Sequence, residues 1–177
     1  MVKTGLVHIY TGDGKGKTTA AVGLAIRAFG SGMKVLVVQF LKSMNTGELK
    51  VLKALGDNFT VKRGFNCKKF AWNMTKEELG SAAEEAAHIF QEIKSLVMTG
   101  KYELVILDEL LGVVGLNFIQ LDEVLSLIEN KPSHVELVLT GRDAPARLID
   151  SVDYVSEIRA VKHPFDKGIP ARRGIEF

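Results

Sequence analysis

Four short apolar runs, residues 6–10, 35–40, 104–107 and 135–140, are rich in Val, Ile and Leu at odd and even positions alike. A strand with one wet face would alternate; runs that are apolar on both faces are the pattern of buried parallel strands. Residues 58–62 and 154–158 are weaker strand candidates, with polar side chains interleaved. Val22, Ala25, Ile26 and Phe29 recur at helical spacing and predict an amphipathic helix that ends near Gly30-Ser31-Gly32. A longer helix is predicted to open at Thr75. Thr75-Lys76-Glu77-Glu78 is a capping box, in which the Thr hydroxyl accepts from a free amide and the Glu carboxylate reaches back. Leu79, Ala82, Ala86, Ile89, Ile93 and Leu96 mark its buried side, and Gly100 stops it. Leu121, Val124, Leu125 and Ile128 predict a shorter helix before Lys131-Pro132.

This alternation of strands and helices predicts the α/β class, a mainly parallel sheet with helices on both faces. No repeat, low-complexity tract or linker divides the chain, so residues 1–177 are expected to form a single domain, with 161–177 as a basic C-terminal tail. A chain that is 46% hydrophobic and 25% charged can bury a sizeable core. The net charge of +2 is too balanced to imply a nucleic-acid partner. A single cysteine, Cys67, excludes an internal disulfide and suits a reducing cytoplasm. The first residues run straight into a strand, leaving no room for a signal peptide, and no apolar stretch reaches the roughly 20 residues of a membrane span. A cytoplasmic protein without membrane or nucleic-acid partners is expected.

The chemistry starts at "TGDGKGKTT", residues 11–19, between the first strand and the first helix. Glycines 12, 14 and 16 let backbone amides converge on anionic oxygens, and the helix N-terminus adds unpaired N–H donors. Lys17 brings a charge to the phosphates and Thr18 a hydroxyl for Mg²⁺. The fold expected around such a loop is a single P-loop NTPase-like (RecA-like) domain. In the usual G-x-x-x-x-G-K-[ST] pattern the first glycine would stand where this chain has Thr11. The second element is Leu104-Val105-Ile106-Leu107-Asp108-Glu109, which puts two carboxylates at the carboxyl end of a buried strand, where open α/β sheets bind ligands. Asp108 or Glu109 is expected to hold Mg²⁺ opposite Thr18. Cys67 and His8, His88, His134 and His163 form no metal motif, so no structural metal is expected. Loop and acid pair together imply Mg–ATP, and by themselves suit a P-loop ATPase or a small-molecule kinase.

Further segments narrow this. The chain carries "TGDGKGKTTAAVGLAIRA" at 11–28, "VQFLK" at 38–42, "GE" at 47–48, "ILDEL" at 106–110, "LTGRDAPARLID" at 139–150 and "VKHPFDKGIPARRGIEF" at 161–177. In motifs, order and spacing it resembles the P-loop ATP:corrinoid adenosyltransferases over nearly its whole length. The resemblance implies transfer of the 5′-deoxyadenosyl group of Mg–ATP to the Co(I) centre of a corrinoid, cobalamin or a precursor, with release of inorganic triphosphate. A nucleotide-gated corrinoid-binding protein would share the same ligands. The family binds ATP in a reversed sense, with which Thr11 is compatible. The resemblance further implies a homodimer and an electron donor such as a reduced flavoprotein.

On this reading Gly12, Asp13, Gly14, Lys15, Gly16, Lys17, Thr18 and Thr19 grip the triphosphate, with Lys17, Thr18 and Glu109 in the catalytic roles and Thr18, Asp108 and Glu109 around the metal. Arg27 matches a nucleotide-contacting arginine of the family. Phe70 and Trp72 match aromatics that press on the corrinoid, although Phe65 competes with Phe70 for that place. Arg142 sits just past a strand end where it could face phosphate, and Lys162, Lys167, Arg172 and Arg173 give the tail its positive charge.

Overall fold

The computed structural model describes residues 4–41, 46–65 and 73–176. Six strands, β1 (Val7–Thr11), β2 (Val35–Gln39), β3 (Phe59–Arg63), β4 (Leu104–Asp108), β5 (Glu136–Thr140) and β6 (Tyr154–Glu157), form one sheet in the order β3-β2-β4-β5-β1-β6. Every pairing is parallel. The two strands with the most continuous apolar runs, β2 and β4, are buried at all five positions. The weaker candidate β6 is an edge strand with all four residues exposed.

The helices are α1 (Lys17–Gly30), α2 (Gly47–Lys53), α3 (Lys76–Met98), α4 (Leu110–Gly115), α5 (Leu121–Asn130) and α6 (Ala146–Ile149). Alternate side chains of the strands point into two cores. Val7 and Ile9 of β1, Leu36 and Val38 of β2 and Val105 and Leu107 of β4 pack with α3, α4 and α5. Val35, Val37, Leu104, Ile106 and Val138 pack on the other face with α1 and with Leu52 of α2. The Thr75 capping box forms in both directions and opens α3 where the sequence places it.

The buried stripe of α1 is a correction. Ala21, Ala25 and Ala28 face the sheet, Val22 and Phe29 flank them partly buried, and Ile26 is 42% exposed. Alanine has no side chain beyond Cβ, so the helix axis comes close to the sheet and the larger residues are displaced to the sides. That close approach presents the N-terminus of α1 to the carboxyl ends of β1, β5 and β4.

The short helices α2, α4 and α6 are not evident from periodicity, because segments of seven, six and four residues complete too few turns to show a stripe. Beyond β6 the chain runs back across the loop that follows β1, then forms a 3₁₀ turn at Pro164–Lys167. Among the described residues no helix is long and apolar enough to cross a membrane.

Candidate active site

The strand order explains how distant motifs meet. Beta-strand β5 lies between β1, which leads into the glycine loop, and β4, which ends in the acid pair. Thr140 at the end of β5 bridges the two halves: its hydroxyl donates to Asp108 Oδ1 at 2.7 Å and accepts from the Glu109 amide at 2.9 Å. Thr18, in the first turn of α1, donates from its own hydroxyl to the same Asp108 oxygen at 2.9 Å. A hydroxyl that spends its proton on a carboxylate keeps its oxygen lone pairs for a cation. Asp108 is only 1% exposed and orients the two threonines from below. Glu109, by contrast, lines the open cleft. Its backbone is left-handed, with φ 62° and ψ 20°, and the bond to Thr140 helps hold it there. Such a conformation is costly for a residue other than glycine and is a recurrent feature of functional sites.

Thr11 is the last residue of β1, paired with Glu157 of β6 and 8% exposed, so the loop leaves the strand one position later than in the usual pattern. The turn falls on Gly12, at φ 100°, and a Cβ there would lie 2.4 Å from the carbonyl oxygen of Ile158. Gly14 is equally confined: its amide donates to Ile158 O at 2.8 Å, and a Cβ would collide with the Ile158 and Arg159 backbone. These two glycines are therefore required by the chain that follows β6. Gly16 differs. It has φ 128° with nothing within 4 Å of a Cβ, so the space above it is open to a ligand.

That space receives the first turn of α1, which has no side-chain cap and no acidic residue, so its free amides point toward the cleft. Lys17 is 7% exposed, and its Nζ donates to the carbonyls of Gly12 at 2.6 Å and Gly14 at 2.8 Å. An ammonium has three donors, so one remains for an anion. Burial pushes the Lys17 pKa down, and the neighbouring Arg142 guanidinium pushes it further in the same direction. Two cations that disfavour each other are both stabilised by an incoming polyanion.

A cleft of about 320 Å³ lies over this constellation, walled by Asp13, Gly14, Lys15, Gly16, Lys17, Thr18, Thr19, Glu109 and Arg142. Thus the loop, Thr18 and Glu109 come together as the sequence suggested, and Arg142 joins them. Arg27 does not line the cleft; it is exposed in the last turn of α1, near the Tyr10 phenol, whose pKa burial raises and the Arg27 charge partly restores. Phe65 is 2% exposed and packs edge-to-face on Phe118 inside the core. Phe70 and Trp72 lie outside the described residues. Glu48 opens α2 and accepts from the buried Gln39 amide at 3.4 Å.

Three residues of the cleft wall were missed from the sequence: His163, Ile175 and Glu176, all from the tail. Their only sequence signal is that they belong to the "KHPF…GIEF" segment. The tail is tied to the loop where Ala160 N donates to Asp13 Oδ1 at 3.1 Å. That bond is the main reason the Asp13 carboxyl lies below its ordinary pKa. A depressed carboxylate stabilises the fold above its ordinary pKa, 3.8, and ceases to do so as pH falls through the lower folded-state value. The tether is accordingly expected to hold at neutral pH and to open in acid. Asp13→Ala should open it at every pH, seen as faster hydrogen exchange of the Ala160 amide at pH 7; unchanged exchange would show that the tail is held elsewhere.

A family model for the ATP:corrinoid adenosyltransferases BtuR/CobO/CobP matches residues 3–177. The chain belongs to this family. It is 38% identical to the corrinoid adenosyltransferase CobA of Salmonella typhimurium over 98% of this chain and 86% of that protein. It is 37% identical to the corrinoid adenosyltransferase of Escherichia coli strain K12, with the same coverage. For the Pseudomonas aeruginosa corrinoid adenosyltransferase the figures are 36%, 98% and 84%. In this member of the family the glycine loop, Glu109, Arg142 and the tail line one cleft, with Asp108 buried beneath it.

Proposed function

We propose that this chain transfers the 5′-deoxyadenosyl group of Mg–ATP to the Co(I) centre of a corrinoid and releases inorganic triphosphate. The observation that carries the proposal is the convergence of anion donors on one cleft. The uncapped first turn of α1, Lys17 and Arg142 meet there, with the oxygens of Thr18 and Glu109 at one side. Attack by cobalt on C5′ forms a carbon–cobalt bond with the electron pair of Co(I). The C5′–O bond breaks, and its electrons leave on the triphosphate. The nucleophile carries no proton, so no base is needed to generate it; the protein's task is to stabilise the departing charge and to align the reactants.

The residues fit Mg²⁺. Thr18, Asp108 and Glu109 offer only hard oxygen donors, and Mg²⁺ on a nucleotide takes one or two protein ligands, its remaining ones being phosphates and water. No cluster of three or more His, Cys, Asp or Glu side chains suited to a metal occurs among the described residues. In this reading Thr18 and Glu109 would hold the ion, and Asp108, which accepts from the Thr18 and Thr140 hydroxyls, would orient Thr18. When bound, Mg²⁺ would supply neutralisation of charge on the triphosphate. Glu109→Gln is expected to raise the Mg²⁺ concentration needed for half-maximal activity by about 10–100-fold; an unchanged requirement would remove Glu109 from the metal.

The corrinoid would lie against Phe70 and Trp72, as in the family pattern, with a homodimer and a reduced flavoprotein donor as further parts of the proposal. Because no phosphoanhydride bond breaks, a β,γ-imido analogue of ATP should still support formation of a light-sensitive cobalt–carbon product from chemically reduced cobalamin. An ATPase or kinase would be stopped by the same analogue, and failure of the analogue together with active ATP turnover would contradict the proposal.

A further inference from the structure

His163 has two neighbours of different kinds. On one side its Nδ1 accepts the Phe165 amide at 3.2 Å and so caps the 3₁₀ turn Pro164–Lys167. A nitrogen that accepts a hydrogen bond carries no proton, so the neutral ring bears its proton on Nε2. On the other side the same residue, half-buried, walls the cleft together with Lys15, Lys17, Thr18 and Arg142. The backbone that delivers it is held on both flanks. Before it, Gly14 N bonds Ile158 O and Ala160 N bonds Asp13; after it, Gly168 N bonds Phe165 O and Ile169 N bonds Pro164 O. The tail's own anion in the cleft, Glu176, accepts from the Arg172 amide and guanidinium, and these bonds hold its carboxyl below the usual range. Its charge is thereby compensated within the tail.

We infer that His163 is a triphosphate-contacting residue whose Nε2–H donates to the phosphate chain of the nucleotide and to the triphosphate after it leaves. The inference rests on the reading of the cleft as a triphosphate site and adds a donor from the tail to those of the loop. Such a donor would give the leaving group a contact from the tail in addition to those from the loop amides and Lys17. The cap at Nδ1 sets the ring's tautomer, as a carboxylate or carbonyl does for other functional imidazoles. No bond to His163 is made or broken and no proton is transferred.

Two conservative substitutions separate contact from capping, because Gln places an amide N–H near the position of Nε2 and Asn places its polar atoms near that of Nδ1. Binding of inorganic triphosphate and of Mg–ATP is measured calorimetrically on the wild-type chain and on His163→Gln, His163→Asn and His163→Ala, with each variant's melting temperature recorded. Loss of a hydrogen bond to a charged group predicts triphosphate affinity lower by about tenfold or more in the Asn and Ala variants. The Gln variant should stay within about threefold of wild type. Retained affinity in the Asn variant with loss in the Gln variant would reduce His163 to a cap and overturn the inference. Unchanged affinity in all three would overturn it as well. Failure of the wild-type chain itself to bind triphosphate would overturn the reading of the cleft and this inference with it.

Discussion

Lys17→Ala is expected to lower kcat for adenosyl transfer by about 10²–10³-fold, the usual cost of removing one preorganised donor from a developing negative charge. The loss should appear in kcat as well as in nucleotide affinity, because in the proposed reaction charge would grow on the triphosphate as the C5′–O bond breaks. Folding should be nearly unaffected. Two carbonyl bonds disappear, but so does a partly desolvated ammonium placed near Arg142, and these contributions oppose each other. A net change within about 1–2 kcal/mol is expected. The same burial predicts a pH signature. A polyanion favours the charged form of Lys17 and raises its pKa on binding, so affinity is full below the free-state pKa and falls as pH rises through it. Since that value is lowered by burial, the decline should begin at a less alkaline pH than for a solvated lysine. Near-normal turnover of Lys17→Ala, measured at saturating corrinoid, would refute its role on the leaving group.

Gly12→Val is expected to damage fold and function together. The backbone there has φ 100°, and the new Cβ would stand 2.4 Å from Ile158 O, a backbone atom that cannot swing aside. Strain and overpacking together should cost about 2–5 kcal/mol. The loop would have to leave the chain that follows β6, withdrawing its amides from the proposed phosphate site, and nucleotide affinity should fall more than about 100-fold, as when several charged hydrogen bonds are lost at once. Gly16→Ala provides the contrast. Its φ of 128° is also unfavourable, but nothing lies within 4 Å of the new methyl group. Its stability cost should be limited to backbone strain, about 1–3 kcal/mol, while the methyl enters the space left for phosphate. Equal melting temperatures for Gly12→Val and the wild type would show that the loop is not seated on β6.

The contrast between these glycines marks what the sequence could reveal. Residues 11–19 are legible because strand, glycine turn, Lys17 and Thr18 are contiguous, and the spacing itself encodes the geometry. Asp108 and Glu109 are legible because acid groups at the end of an apolar run fall at the ligand edge of a parallel sheet. The start of α3 is legible because a capping box is complete within four residues. The tail is a different case. Asp13 and Ala160 are 147 residues apart, and their contact depends on β6 entering the sheet beside β1, a pairing that no local pattern announces. His163 and Glu176 therefore read as parts of a basic terminus until the topology carries them over the loop. The face of α1 fails for a related reason: periodicity finds the large apolar residues, but distance to the sheet selects Ala21, Ala25 and Ala28.

The topology also accounts for the departure at Thr11. A strand that extends through residue 11 to pair with Glu157 cannot turn there, so the glycine moves to 12, against Ile158. The displaced glycine is a consequence of seating the loop on the last strand. It leaves the donors at Gly16, Lys17 and Thr18 in place.

In the proposed reaction the phosphates of ATP leave as one unit. Phosphorus NMR of a reaction containing the chain, Mg–ATP and chemically reduced cobalamin measures this directly. One inorganic triphosphate is expected for each cobalt–carbon bond formed, with no ADP; ADP or orthophosphate as the stoichiometric product would refute the proposed reaction.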